Sequence, residues 1–120
     1  MDTQKQLQIL SDEYQGLQIE LSTLVSARQK LESQQQENTS VQKEFATLPD
    51  DAKVYKLVGP VLLKQDVSEA KSTVDGRLEY INKEIKRIEE SIKDIQNKSD
   101  GKKMEIIKIQ SQSQEAVNPV

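Results

Sequence analysis

Apolar residues recur along the first part of the chain at Leu7, Leu10, Tyr14, Leu17, Leu21, Leu24 and Leu31, at intervals of three and four. That alternation is the seam of a coiled-coil helix, which keeps one narrow stripe facing a partner helix. Arg28 fills the seam position between Leu24 and Leu31, and Gln35 and Asn38 continue it as polar members. Such residues cost stability and fix register. Val41, Phe45 and Leu48 resume the pattern one residue early, a shortened step that overwinds a supercoil locally. Pro49 closes the segment, because the residue before a proline is pushed out of the helical region. The pattern predicts a helix over residues 2–48, with Asp50-Asp51 in the turn that follows.

A second kind of pattern occupies AKVYKLVGPVLLKQD, the one run with strand character. It predicts a β-hairpin over residues 54–64. Val54, Lys56 and Val58 share one face, and Tyr55 and Leu57 the other. Proline is unfavourable at the second central position of common turns, so a loop wider than Gly59-Pro60 is expected. Asp66 with Glu69 three residues later forms a capping-box arrangement that starts a second helix over residues 67–110. Its seam reads Val67, Ala70, Val74, Leu78, Ile81, Ile85, Ile88, Ile92 and Ile95, then Ser99 and Lys102, then Ile106 and Ile109. The tail, residues 111–120, lacks a period and is expected to be disordered.

Two helices of similar length joined by a tight hairpin must run antiparallel, so facing residues have numbers that sum to roughly 115. Gly16 then lies near Ser99 to Gly101. Helical glycines on both sides of a polar seam predict a hinge, each weakening its helix by up to about 1 kcal/mol. The fold class is mainly α: a long antiparallel two-helix coiled coil with one hairpin. A lone two-stranded hairpin is marginal in water, and this one carries apolar residues on both faces. It has to join its strands to those of other chains.

Composition strengthens this picture. Only 34% of the 120 residues are hydrophobic, 31% are charged, and there are three tyrosines, one phenylalanine and no tryptophan. That is too little large apolar surface for a compact core of this length, and enough for narrow helical stripes. A net charge of −3, alternating in sign along the helices, leaves no footprint for nucleic acid. No apolar run approaches the roughly 18 residues of a membrane span. The opening MDTQKQLQIL lacks the pattern of a signal peptide, so a cytoplasmic location is expected.

Histidine and cysteine are both absent, which removes the commonest general base, metal ligand and covalent nucleophile. The four glycines are scattered and form no phosphate-cradling loop. No enzymatic role, cofactor or metal site is expected; the chain acts by binding. Val54, Tyr55, Leu57, Val58, Val61, Leu62 and Leu63 are the candidate assembly surface. Ile9 and Ile107 lie off the seam near the same end. They either widen the packed stripe or offer an exposed apolar surface for a partner.

The block VYKLVGPVLLKQDVSEAKSTVDGRLEYINKEI, Val54 to Ile85, resembles the central signature of the β-class prefoldin subunits, and VSARQKLESQQQEN, Val25 to Asn38, is similar to their first helix. Gly76 departs from the pattern where a basic or larger residue is usual before Arg77-Leu78. The resemblance implies a heterohexamer of α- and β-class subunits whose hairpins join into β-barrels. It also implies an ATP-independent holdase that grips unfolded actin, tubulin and similar clients by its helical ends and delivers them to the cytosolic group II chaperonin. On that reading Leu7, Ile9, Leu10, Ile106, Ile107 and Ile109 contact clients. The alternative is a scaffold or tether subunit that shares the hairpin and holds no unfolded chains.

Overall fold

The structure, a computed structural model, describes residues 2–117 as two helices flanking a hairpin. Helix α1 is Thr3–Ala46, strand β1 is Val54–Val58, strand β2 is Val61–Gln65, and helix α2 is Val67–Val117. Asp2 starts α1: its carboxylate accepts from the Gln4 amide at 3.3 Å and its carbonyl from the Gln6 amide at 3.0 Å. At the other end Thr47 and Leu48 donate to the carbonyls three residues back, so the last turn tightens before Pro49. Pro49 to Ala52 forms a turn closed by a 3.0 Å backbone bond.

The hairpin corrects one expectation. Val58 pairs directly with Val61, so the loop is Gly59-Pro60 alone and not a wider turn. Gly59 takes φ +59°, and it is the only residue with positive φ among those described. A turn with glycine in that conformation at its first central position is the II′ type, whose twist suits a hairpin. The penalty on proline at the second position belongs to the type I turn, where it forces the preceding residue out of the helical region. Gly59 is not in that region, so Pro60 is tolerated.

Helix α2 opens after Asp66, whose carbonyl accepts the first helical bond from Ala70 at 3.0 Å. It passes unbroken through Gly76 and Gly101. It also continues to Val117, past residue 110, into a segment whose sequence pattern predicts no regular structure. Ser111 to Val117 contains no glycine or proline to interrupt the helix. Residues 118–120 of the expected tail lie outside the described residues.

The chain divides into two compact units. The terminal unit joins the residues up to Arg28 with those from Ile88 onward; the hairpin unit is Gln29–Arg87. In the terminal unit Leu10, Ile88, Ile92, Ile95 and Ser99 are buried, and Leu7, Tyr14, Leu17, Leu21, Leu24, Lys102, Ile106 and Ile109 are half-buried. The Gln18 amide donates to the buried Ser99 hydroxyl, so that polar seam position is satisfied. In the hairpin unit Val67, Ala70, Val74, Leu78, Ile81 and Ile85 are buried, and Leu31, Gln35, Asn38, Val41 and Phe45 are half-buried. Gln35 donates to Asn82 at 2.6 Å and Gln42 to Asp75 at 2.7 Å. All three glutamine pairs have residue numbers that sum to 117, two above the expected register.

In the terminal unit Lys102 also reaches Glu13 at 2.6 Å. Its side chain is partly exposed, and the hydrogen bond it donates to the Glu13 carboxylate holds its pKa above the ordinary lysine value. Gly16 and Gly101 line the same surface recess as Glu13, Leu17, Lys98 and Lys102. A Cβ at either glycine would meet no atom within 4 Å, so neither is required by close packing.

Two predictions follow from these contacts. A raised lysine pKa means the folded state binds the proton more tightly than the unfolded state. The contribution is therefore complete below the unfolded lysine value and is lost as pH rises through the raised folded value. Thermal unfolding followed by circular dichroism should show wild type losing more stability than Lys102→Met across that alkaline window; equal losses would remove the Glu13 contact from the account.

Gly16→Ala with Gly101→Ala should stabilise the chain by about 1 kcal/mol per site, since alanine meets no obstruction. In wild type, amide hydrogen exchange should be faster in Leu7–Gly16 and Gly101–Ile109 than in Leu24–Leu31 and Ile81–Ile92, and the alanine pair should narrow that gap.

Candidate protein-binding surfaces

The hairpin register builds the first surface. Val54 pairs with Gln65, Tyr55 with Lys64, Lys56 with Leu63, Leu57 with Leu62 and Val58 with Val61. Residues directly opposite lie on the same face. One face therefore gathers Val54, Lys56, Val58, Val61, Leu63 and Gln65, and the other Tyr55, Leu57, Leu62 and Lys64. Within the chain neither face is covered: Leu57 is 68% exposed and Leu62 64%, while Val58, Val61, Leu63 and Tyr55 are each exposed by about half. Val54 and its partner Gln65, at the ends of the strands, are half-buried. Both strands also have a free edge, because among the described residues the sheet has only these two strands. Unpaired edge amides and carbonyls beside apolar side chains are a template for strand addition.

The second set lies in the terminal unit and divides into three groups. Leu10 is buried in the seam at 7% exposure. Leu7, Ile106 and Ile109 are half-buried there. Ile9 and Ile107 are both 46% exposed. The six residues are thus not one equivalent surface: the seam holds four, and two offer apolar area to solvent. Met104, 65% exposed, adds a third exposed apolar side chain one turn before Ile107. The sequence carried the signal for it, since Met104 is also an apolar residue off the seam.

Charge around these surfaces is dispersed. Arg87 donates three hydrogen bonds to Glu84, at 2.8 and 3.2 Å to one oxygen and 3.4 Å to the other, and that contact lowers the Glu84 pKa. Lys83 pairs with Glu79 at 3.5 Å on an exposed face. Both are local pairs along α2, of a kind that contributes little. Among the described residues no group of three acidic, histidine or cysteine side chains is placed to hold a metal ion, and no helix is long and apolar enough to cross a membrane. The recesses beside the seams are open grooves, such as the one lined by Gln42, Phe45, Ala46, Lys71, Val74 and Asp75. The chemistry this arrangement offers is apolar contact and backbone pairing.

Comparison with known proteins gives the same frame. A family model described as prefoldin subunit matches residues 8–113. Prefoldin subunit 6 of Mus musculus is 44% identical over 113 residues, covering 94% of this chain and 89% of the mouse protein. Prefoldin subunit 6 of Saccharomyces cerevisiae is 49% identical over 100 residues, covering 83% of this chain and 88% of the yeast protein. Among solved structures, the crystal structure of the prefoldin beta subunit from Thermococcus strain KS-1 superposes with a TM-score of 0.79 at 26% identity, covering 84% of this chain and 89% of that one. The beta2 subunit from the same strain superposes at 0.65 with 20% identity, covering 76% and 97%, and supports the fold alone. The chain belongs to the prefoldin subunit family.

Proposed function

We propose that this prefoldin-family chain is a subunit of a heteromeric, ATP-independent holdase. Its hairpin adds strands to those of other α- and β-class subunits, and its exposed apolar residues in the terminal unit contact unfolded clients of the actin and tubulin type, which pass to the cytosolic chaperonin. The observation that carries the assembly role is the hairpin exposed on both faces, with both edges open. The observation that favours client contact over a pure tether is the exposure of Ile9, Met104 and Ile107 near the free ends of both helices. A tether needs no apolar residues there. The absence of histidine and cysteine fits a role without catalysis.

Val58→Asp tests assembly. It places a charge on a strand that is buried once paired, at a cost of several kcal/mol. Size-exclusion chromatography of the co-expressed subunits should show the mutant excluded from the complex, with its helical content retained. A complete complex containing the mutant would remove the hairpin as the assembly surface.

Ile9→Ser with Ile107→Ser tests client contact. Neither residue is in the buried seam, so the complex should form normally while suppressing client aggregation less well in a light-scattering assay. The loss should be partial, because other subunits also contribute. Full suppression together with faster hydrogen exchange around both sites would assign both residues to a wider packed stripe and favour the tether.

A further inference from the structure

The two free edges of the hairpin differ in how they receive a second copy of this chain. Each strand has five residues: Lys56 is the centre of β1 and Leu63 the centre of β2. When two copies of one strand pair antiparallel over their full length, the twofold axis places the central residue opposite itself. Along β1 that pairing sets Lys56 against Lys56 of the copy. Along β2 it sets Leu63 against leucine, and Lys64 against Leu62.

The turn fixes how close the two lysines come. A two-residue loop makes Val58 and Val61 a hydrogen-bonded pair, and alternation makes Lys56 and Leu63 another. The backbone of Lys56 therefore faces β2, and the amides and carbonyls of Tyr55 and Leu57 face the open edge. Across that edge Lys56 falls in a non-hydrogen-bonded pair, whose Cα atoms are only about 4.5 Å apart and whose side chains are closest. Like charges directly opposite at such a site oppose pairing. Its neighbours on the same face are Val54, Val58 and Leu63, which bring no compensating charge. Among the described residues no carboxylate forms an ion pair with Lys56.

We propose that the β1 edge receives a strand from a different chain, one that presents an Asp or Glu carboxylate opposite Lys56, and rejects a second copy of this chain. The inference rests on the reading of the hairpin as the assembly surface and names the chemistry of its partner. Lys56 then acts as a sorting residue: its ammonium is neutralised beside a cognate strand and confronted by its own kind in a homotypic pair. The β2 edge, centred on leucine, carries no such discrimination.

The test has two arms. In the first, the chain is co-expressed with the other prefoldin subunits of its organism. Lys56→Glu should enter the complex about tenfold less well than wild type, while Lys56→Arg enters normally. In the second, full-length wild type, Lys56→Glu and an equimolar mixture are compared by sedimentation velocity at one salt concentration. The mixture should associate about tenfold more tightly than either chain alone, because only mixed pairs bring opposite charges together. Lys56→Met, which lacks the repulsion, should self-associate more than wild type and serves if the glutamate variant loses helicity. Undiminished entry of Lys56→Glu, or equal association of the three samples, overturns the proposal. If Val58→Asp blocks assembly and Lys56→Glu does not, the assembly reading stands and the sorting role falls. If neither blocks it, the hairpin is not the assembly surface and both readings fall.

Discussion

A two-stranded hairpin with apolar side chains on both faces and backbone groups free on both edges has no stable resting place in water, and the organisation of this chain depends on that constraint. Six exposed residues, Tyr55, Leu57, Val58, Val61, Leu62 and Leu63, carry most of the apolar area. Covering the exposed half of each is worth roughly 5–9 kcal/mol, from about 1.5–3 kcal/mol for full burial of one side chain. Association costs a comparable amount in lost translational and rotational freedom, on the order of 4–15 kcal/mol. Apolar burial alone therefore about breaks even. The surplus must come from strand hydrogen bonds and well-matched side chains, which makes assembly sensitive to what stands opposite a single residue such as Lys56.

The helices solve a different problem with a similar economy of apolar residues. Each exposes most of its circumference and buries one stripe. In α2 that stripe is largely valine and isoleucine, and its members from Val67 to Ile95 are all buried. The facing residues of α1, Leu10 apart, are only half-buried, so α1 covers α2 more fully than it is covered. Hydrophobic stripes are poor at fixing register, since sliding one helix by a turn keeps leucine against isoleucine. Directional contacts fix it instead: Gln18 to Ser99 in the terminal unit, and Gln35 to Asn82 and Gln42 to Asp75 in the hairpin unit. Each requires its short polar partner at one position.

Much of this was legible in the sequence because a coiled-coil seam is a one-dimensional pattern. Every apolar seam position from Leu7 to Phe45 and from Val67 to Ile109 is at least half-buried. The antiparallel register was within two residues because the hairpin leaves little slack. The two-residue turn is not legible from proline's general preference, because the penalty at the second central position holds for the type I turn and the backbone of Gly59 selects type II′. The helical stretch from Ser111 to Val117 has no apolar period to announce it; the lack of a breaker is a weaker signal than a seam. The hairpin surface could be read from residue type alone. The grouping of Leu7, Ile9, Leu10, Ile106, Ile107 and Ile109 could not be divided into seam and surface until packing separated 7% exposure at Leu10 from 46% at Ile9.

The α2 seam differs in composition between the two units, and the difference suits the two roles proposed for them. From Val67 to Ile85 the α2 seam of the hairpin unit is wholly apolar and buried. In the terminal unit the seam passes through Ser99 and Lys102, Arg28 takes a half-buried α1 position, and Gly16 and Gly101 sit at one recess with open space around them. Each helical glycine withholds up to about 1 kcal/mol that alanine would supply without a clash. A surface that must meet one cognate strand benefits from a rigid frame, because misplacement wastes directional bonds. A surface for unfolded chains meets a different shape each time, and adaptable apolar contacts tolerate that variety. Met104, with its flexible thioether, is well suited to the second task, as Lys56 is to the first. Rigidity and charge are placed where the partner is defined, and looseness and bare apolar area where it is not.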